Sequence, residues 1–412
     1  MKNKFLQEMS SRGYLSQCTN IEKLEQICDK NSISAYIGFD CTASSLHVGS
    51  LLQIMVLKLL QKFGHRPIIL LGGGTTLIGD PSGKDSTRKI LSQKEISKNI
   101  KGIKRVFSKI LDSSDRNTKP IFVDNAKWLT KLNYVKFLRE IGSHFTINKM
   151  LTFDSVKLRL EREQSLSYME FNYMILQAYD FYQLFKKKNC ILQIGGSDQW
   201  GNIVNGVDLI RRLIQKESFG ITTPLITLAS GVKMGKTEKG AVWLNENLFS
   251  SYDYWQFWRN TDDRDVKRFL NFFTELKTDE IENMCKKESD INNLKIILAN
   301  EATKILHGEI ASKRACVTAK ETFIDGGSGD DLPEIKVNSN KFRNGLNLIE
   351  FLSSNKIFSS KSEARRAIEN KGLKINNLTV DDPKKLIVLG DFKDKSLKIS
   401  FGKKKHYLIK VI

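Results

Sequence analysis

The stretch AYIGFDCTASSLHVGSLLQIMVLKLLQKFGHRPIILL, residues 35–71, decides the fold. Its first five residues, 35–39, and its last five, 67–71, are short apolar runs of the kind that form buried strands. Between them, residues 49–63 place apolar side chains on one broad helical face, made of Leu51, Leu52, Met55, Val56, Leu59 and Leu60. The stretch therefore predicts a strand, a helix and a second strand, which is a unit of a parallel sheet.

Further strand signals follow along the chain, at residues 120–123, at 190–194 after a long helix, and at 225–228. Strands that alternate with helices predict an α/β fold, an open Rossmann-like parallel sheet over residues 1–229. Ligands of such sheets bind beyond the carboxyl ends of the strands. We therefore expect a functional site at that edge.

The remainder of the chain changes character. Strand signals stop near Tyr252, and helical periodicity predicts an α-helical domain over 251–325, which a loop and connection at 230–250 joins to the sheet. A cluster of Gly, Ser, Asp and Pro is typical of a linker, placed at 326–341. Residues 342–412 are predicted to form a small basic module.

The charge of the chain suggests a polyanionic partner. The sequence has 66 Lys and Arg against 46 Asp and Glu, a formal charge of +20, and residues 342–412 contribute 16 basic against 7 acidic residues. Lys and Arg displace counterions from phosphates, so this concentration favours RNA binding. The alternative is an organism whose proteins are rich in lysine throughout.

Two classes of protein are disfavoured by composition. Six scattered cysteines, at 18, 28, 41, 190, 285 and 316, form no CxxC pair and have no His at ligand spacing, so neither a disulfide framework nor a structural metal site is predicted. No run approaches the roughly 20 apolar residues of a membrane helix, and residues 1–30 lack a signal-peptide core. We therefore expect a cytoplasmic protein.

Two glycine-containing segments follow the first two strands. The segment LHVGS, residues 46–50, opens a helix, where His47 could donate to a phosphate and Gly49 could let a base approach; a structural turn is the alternative. The segment GGGTTLIGDPSGK, residues 72–84, has Gly79 four residues before Gly83, so it is no Walker loop. It could present Asp80 to a cation and Lys84 and Arg88 to phosphates, or form a plain surface turn.

A predicted helix over residues 168–185 carries Tyr173, Gln177 and Asp180 at i, i+4 and i+7. This spacing puts three polar groups on one face of an otherwise apolar helix. Buried polar groups need partners, so the three could satisfy one another in the core or bind an amino acid.

Two later segments are suited to a nucleotide. QIGGSDQWG, residues 193–201, follows a strand and opens a helix, and its Asp198 could accept from ribose hydroxyls. KMGKT, residues 233–237, offers two lysines and a hydroxyl that suit a triphosphate, although a basic loop is commonly just solvated.

Taken together, these segments resemble the signature motifs of a class I aminoacyl-tRNA synthetase. More narrowly, YIGFDCTASSLHVGS, GHRPIILLGGGTTLIGDPSGK, YMILQAYDF, LQIGGSDQWGNI, KMGKTEKGAVWL and YWQFWRNTDDRDV resemble the bacterial-type tyrosyl-tRNA synthetase family over nearly the whole chain. The stretch SKSEARRAIENKGLKIN, from Ser360, resembles that family's S4-like RNA-binding domain. The resemblance implies tyrosine, ATP with Mg²⁺ as its substrate complex, tRNA as partner, and a homodimer.

The resemblance also implies a role for each matching residue. Residues implied to bind tyrosine are Tyr36 and Asp180 at the phenol, Asp80, Tyr173 and Gln177 at the ammonium group, and Asn125 and Gln193 in support. Residues implied to bind the nucleotide are Gly38, Asp40, Thr42, His47, Gly49, Gly196 and Asp198. Residues implied to close over the triphosphate during catalysis are Lys84, Arg88, Lys233, Lys236 and Thr237.

The chain departs from the common family pattern at two places. Ser50 stands where the motif commonly ends in a second His, and Gly235 and Thr237 stand in a loop often written KMSKS. Tryptophanyl-tRNA synthetase is the nearest alternative, but Asp180 beside Tyr36 suits a phenol better than an indole. A synthetase-derived splicing factor is a second alternative, and a dinucleotide oxidoreductase, which would need GxGxxG, is remote.

Overall fold

The computed structural model describes residues 2–79, 91–231, 234–237, 240–323, 332, 334–343, 345–355, 357–393, 395–402 and 405–412. The chain forms two compact units. The first comprises residues 1–249 with 261–294, and the second 250–260 with 295–412. This division differs from the predicted domain boundaries, which remain predictions.

A six-stranded sheet organises the first unit, in the order β1-β6-β5-β2-β3-β4. Its strands are β1 Gln17–Cys18, β2 Ser34–Asp40, β3 Arg66–Gly72, β4 Ile121–Asp124, β5 Cys190–Gly196 and β6 Phe219–Thr223. Strands β2 to β6 run parallel, and β1 pairs antiparallel with β6. In β2, Tyr36 pairs with Ile68 on one side and with Gln193 on the other, so these side chains lie level in the sheet. The predicted Rossmann-like parallel sheet is confirmed.

The helices follow the apolar periodicity of the sequence. The α-helices up to residue 290 are α1 Lys4–Ser11, α2 Ile21–Lys30, α3 Leu51–Lys62, α4 Gln93–Ile110, α5 Ala126–Leu129, α6 Tyr134–Glu140, α7 Ile147–Leu151, α8 Asp154–Glu161, α9 Tyr168–Phe171, α10 Tyr173–Lys188, α11 Trp200–Ile214, α12 Ser251–Arg259, α13 Val266–Phe273 and α14 Thr278–Lys287. Helix α3 buries eight of its residues, as a helix between two parallel strands must.

Two predicted elements need correction. The predicted strand at residues 225–228 is wrong, because the last parallel strand of the main sheet is β6, which ends immediately before Pro224. Proline has no N–H to give to a ladder, and Leu225 is already 42% exposed. The predicted helix over residues 168–185 is two helices, α9 and α10, separated by Asn172.

The second unit combines helices with a small sheet. Its remaining elements are α15 Ile291–Phe323, which begins in the first unit and is interrupted at Gly308 (φ 85°), α16 Leu348–Ser354 and α17 Lys361–Glu369. The first unit also has β7 Lys236–Thr237 and β8 Gly240–Ala241. The strands of the second unit are β9 Glu334–Val337, β10 Leu346–Asn347, β11 Leu373–Ile375, β12 Leu378–Val380, β13 Leu386–Ile387, β14 Ser396–Phe401 and β15 Lys405–Val411. A sheet ordered β12-β11-β14-β15-β9 packs with α16 and α17 around one apolar core.

Among the described residues, none of the helices combines the length and the hydropathy that crossing a bilayer requires.

Candidate active site

A cavity of about 340 Å³ opens in the first unit at the carboxyl ends of β2 and β5. It brings together twelve of the site residues named from the sequence: Tyr36, Gly38, Asp40, Thr42, His47, Gly49, Asn125, Tyr173, Gln177, Asp180, Gln193 and Gly196. Asp198 is exposed and does not line the cavity. Asp80, Lys84, Arg88 and Lys233 lie outside the described residues, and for Lys236 and Thr237 only the backbone is described.

Asp180 lies at the inner end of this cavity and is 1% exposed. The Nδ2 of Asn125 donates to one carboxylate oxygen at 2.8 Å, and the Nε1 of Trp128 donates to the other at 2.7 Å. Burial raises the pKa of Asp180 to about 7, although these two hydrogen bonds oppose the shift. A carboxylate can accept about four hydrogen bonds, so Asp180 keeps acceptor capacity for a ligand.

Tyr36 and Gln193 both line the cavity, and each has a polar side-chain atom that forms no hydrogen bond with the described residues. The Tyr36 hydroxyl and the Gln193 Oε1 are buried and find no hydrogen-bond partner among the described residues. Burial, and then the nearby Asp180 carboxylate, raise the pKa of Tyr36 well above its usual value. A buried polar atom without a partner costs free energy, so the Tyr36 hydroxyl is suited to a ligand that supplies the missing hydrogen bond, whereas the Gln193 Oε1 lies towards Gly206 of α11.

The opposite wall is organised around Asp40, at the end of β2. Its Oδ1 accepts from the Tyr173 hydroxyl at 3.4 Å and from the Thr75 hydroxyl at 3.3 Å. Thr75 in turn accepts from Asn125 Nδ2 at 3.1 Å, which connects this wall to Asp180. Tyr173, Gln177 and Asp180 do share one face of α10, as their spacing predicted.

The helix-opening segment around His47 meets the segment around Gly235 at the cavity mouth. His47 Nδ1 accepts from the Gly49 N–H at 3.0 Å, which leaves the proton of the neutral ring on Nε2. A Cβ added to Gly49 would lie 2.7 Å from the Met234 carbonyl oxygen, and one added to Gly235 (φ +133°) would lie 2.8 Å from His47 Nδ1. Both glycines are therefore needed for the two segments to approach.

Among the residues at this site that the sequence did not point to are Trp128, Thr75 and Trp243. Trp128 holds Asp180, Thr75 joins Asp40 to Asn125, and Trp243 pairs with His47 as an isolated bridge. A Trp in the short helix after β4 is a visible signal, since an indole N–H placed beside a buried site needs an acceptor. Trp243 gave no such signal, because its contact with His47 depends on a return of the chain.

Comparisons with known proteins agree with this geometry. The family described as tRNA synthetases class I (W and Y) matches residues 29–323, and the tyrosine–tRNA ligase SYY-like C-terminal domain matches residues 324–409. The tyrosine–tRNA ligase of Pelagibacter ubique is 61% identical over 410 residues, with 100% of both chains covered. That of Zymomonas mobilis is 53% identical and covers 99% of this chain and 98% of the relative.

Solved structures point the same way. A C-terminally truncated mitochondrial tyrosyl-tRNA synthetase from Aspergillus nidulans matches with a TM-score of 0.70 at 28% identity, over 78% of this chain and 95% of that one. A tyrosyl-tRNA synthetase from Archaeoglobus fulgidus, at 15% identity and a TM-score of 0.57, shares the fold. The chain therefore belongs to the class I tRNA synthetases and, within them, to the tyrosyl-tRNA synthetase family.

Proposed function

We propose that the chain is a tyrosine–tRNA ligase that works through an adenylate. A carboxylate oxygen of tyrosine attacks the α-phosphorus of ATP, and the bond to the β-phosphate breaks to release pyrophosphate. A terminal ribose hydroxyl of tRNA then attacks the tyrosyl carbonyl, and AMP leaves. The observation that carries the proposal is that the buried Asp180 carboxylate and the Tyr36 hydroxyl, which has no partner among the described residues, lie close together in the lining of one cavity.

The closed end is suited to a phenol. The substrate hydroxyl can donate to the Asp180 carboxylate and accept from Tyr36, which would satisfy both. Phenylalanine would leave the buried Tyr36 hydroxyl without a partner and the remaining acceptor capacity of Asp180 unused. Tyrosyl-tRNA synthetases are themselves the established example of this effect, and they discriminate against phenylalanine by about 10⁵. Tyr173, Gln177 and Asp80 are assigned to the ammonium group, and Asn125 and Gln193 to the support of the pocket.

The open end is assigned to the nucleotide. Gly38, Asp40, Gly49, Gly196 and Asp198 are proposed to hold adenosine. Thr42 and the Nε2–H of His47 are proposed to donate to phosphate oxygens. Lys84, Arg88, Lys233, Lys236 and Thr237 would stabilise charge that develops on the triphosphate in the transition state. Mg²⁺ enters as part of the ATP substrate. We place the enzyme in the cytoplasm, where ATP and tRNA are available.

The tRNA partner is assigned to the second unit. Helix α17 presents Arg365 and Arg366 to solvent, and Ala364, Ala367 and Ile368 to the core of the C-terminal sheet. Cations on one face of an anchored helix are suited to phosphates.

A homodimer is the proposed assembly. Nine large apolar side chains are exposed between residues 134 and 169, among them Val135 at 73%, Tyr168 at 66% and Ile147 at 59%. Exposed apolar surface concentrated in this way is typical of protein interfaces. Sedimentation of the chain with Val135→Lys should show a shift from dimer to monomer; a wild-type monomer would refute the assembly.

The reaction is tested by exchange of labelled pyrophosphate into ATP with each amino acid in turn. Tyrosine should support exchange about 10⁵ times better than phenylalanine, and tryptophan should not support it. Asp180→Asn, which keeps the size of the side chain but not its charge, should lose tyrosine activation. Exchange driven by tryptophan would instead identify the other amino acid of the matched family.

A further inference from the structure

The segment NTDDRDV, residues 260–266, has no part in the chemistry proposed above. One residue of it, Asp265, is 3% exposed and is the N-cap residue that precedes helix α13. Its Oδ2 accepts from the backbone N–H of Ala229 at 2.7 Å, and its Oδ1 accepts from Arg268 Nη2 at 2.6 Å. The same Arg268 nitrogen donates to the backbone carbonyl of Thr227. The buried Asp265 carboxylate and the Arg268 guanidinium thus both form hydrogen bonds with the backbone of residues 227–229.

This backbone leads into the KMGKT loop, and residues 226–231 are called the root of that loop below. From Thr227 and Ala229 the chain continues directly to the segment 233–237. Within the root, Gly231 N donates to the Leu228 carbonyl at 2.8 Å and Met234 N to the Ile226 carbonyl at 2.9 Å. The position of Met234 and Gly235 against Gly49 and His47 therefore depends on where the root is held.

Helix α13, which carries Arg268, can hold the root in place because hydrogen bonds also fix the other end of the helix. Buried Arg12 donates through Nη1 to the carbonyls of Asn271 and Thr274, both at 2.9 Å. The Tyr14 hydroxyl donates to the Phe272 carbonyl at 2.8 Å. These hydrogen bonds tie helix α13 to Arg12 and Tyr14 independently of the root, so the root is held against a fixed reference.

We propose that Asp265 and Arg268 are positioning residues for tyrosine activation, which hold the loop root so that the loop cations reach the triphosphate. This inference rests on the function proposed for the loop. Pyrophosphate leaves before tRNA reacts, so the charge that the loop stabilises exists only in the first step. Loss of the hydrogen bonds from Asp265 and Arg268 to the root should slow adenylate formation and leave the transfer of tyrosine to tRNA unchanged.

The test separates the two steps. Adenylate formation is followed in a single turnover, and transfer is followed from isolated enzyme-bound adenylate mixed with tRNA. For Asp265→Ala and Arg268→Ala, adenylate formation should slow by about 10- to 100-fold, the loss expected from misplacing a catalytic group by about 1 Å. The transfer rate and the Kd for tyrosine should stay at the wild-type values.

Matched variants show whether the contact itself matters. Arg264→Ala makes the same change four residues away, at an exposed arginine that pairs with Asp262 at 2.9 Å, and it should leave both steps unchanged. Asp265→Asn keeps an oxygen that can accept from Ala229, so it should recover much of the activation rate. If Asp265→Ala does not fold, Asp265→Asn and Arg268→Ala still test the contact.

Three results would overturn the inference: unchanged activation in Arg268→Ala, equal losses in both steps, or equal losses in Asp265→Asn and Asp265→Ala. Lys236→Ala distinguishes this failure from failure of the proposed loop function. If Lys236→Ala slows activation while Arg268→Ala does not, only the positioning inference fails. If Lys236→Ala has no effect, the proposed function of the loop fails as well.

Discussion

At the residue scale, burial and hydrogen bonding act on Asp180 in opposite directions. Burial disfavours its charged form, whereas the donors of Asn125 and Trp128 favour it, and the resulting pKa is about 7. In the absence of tyrosine the carboxyl group therefore takes up a proton far more readily near neutral pH than an exposed aspartate does. A phenol hydroxyl that donates to Asp180 requires the ionised form. In the protonated form, one carboxyl oxygen carries a hydrogen of its own, although both oxygens already face the N–H donors of Asn125 and Trp128.

Tyrosine affinity should therefore depend on pH near neutrality. As the pH falls through about 7, Asp180 takes up a proton that tyrosine must displace, so binding weakens; above that value it levels off. One pH unit below the pKa, the Kd should rise by about tenfold. Equilibrium dialysis of labelled tyrosine across this range measures the effect, with Asp180→Asn as the variant whose profile should be flat. A flat wild-type profile would contradict the assignment of Asp180.

Trp128 should affect selectivity without touching the substrate. Trp128→Phe keeps an aromatic ring but removes the N–H that donates to Asp180 at 2.7 Å. The Trp128 N–H favours the ionised form of Asp180, which tyrosine needs, by about 1.5–3 kcal/mol, so without it Asp180 holds its proton more tightly and kcat/KM for tyrosine should fall by up to roughly 10- to 100-fold. Activity with phenylalanine, which does not use Asp180, should change little. Equal losses for both amino acids in pyrophosphate exchange would show a general packing defect instead.

At the element scale, the sequence pattern predicts the parallel strands well where they are apolar on both faces. Residues 67–71 are all buried in β3, and the helix between β2 and β3 has the predicted face. The pattern failed at β6, because FGITT is short and less apolar than residues 225–228, and only the pairing with β5 decides between them. Likewise the alignment of Tyr173, Gln177 and Asp180 follows from helix spacing, whereas the contact of Trp128 with Asp180 depends on how β4 and α10 pack.

Helix α4 offers a prediction in which helix propensity and packing disagree. Gly102 lies inside this helix, where alanine is ordinarily more stable by about 1 kcal/mol. A Cβ at this position would lie 1.9 Å from the backbone oxygen of Ser44, in the segment that leads from Thr42 to His47. Gly102→Ala should therefore lower the free energy of unfolding by about 1–3 kcal/mol and slow adenylate formation, because that segment must move.

Thermal or urea unfolding measures the stability of this variant, and a single-turnover assay measures activation. Ser97→Ala, on the exposed face of the same helix, is the control and should change stability by less than about 0.5 kcal/mol. A Gly102→Ala protein more stable than the wild type would mean that the close approach of α4 to Ser44 is not maintained.

At the scale of the whole molecule, the two proposed halves of the reaction draw on different units. Every described residue around the cavity belongs to the first unit, whereas the basic helix α17 belongs to the second. Charge in the second unit should therefore govern the use of tRNA and leave tyrosine activation alone. The order of the two steps makes the separation measurable, since pyrophosphate exchange needs no tRNA.

Arg365→Gln with Arg366→Gln should raise the KM for tRNA and leave pyrophosphate exchange at the wild-type rate. If each arginine neutralises one phosphate, the slope of log K for tRNA against log salt should decrease by about 2 in magnitude. The matched control is Lys30→Gln with Lys62→Gln, which removes the same charge from exposed lysines before the amino ends of β2 and β3, far along the strands from the cavity edge. Because both pairs lower the net charge equally, an effect of long-range attraction alone would appear in both variants. A change of salt slope confined to the arginine pair would establish direct phosphate contact, and equal slopes in the two variants would rule it out.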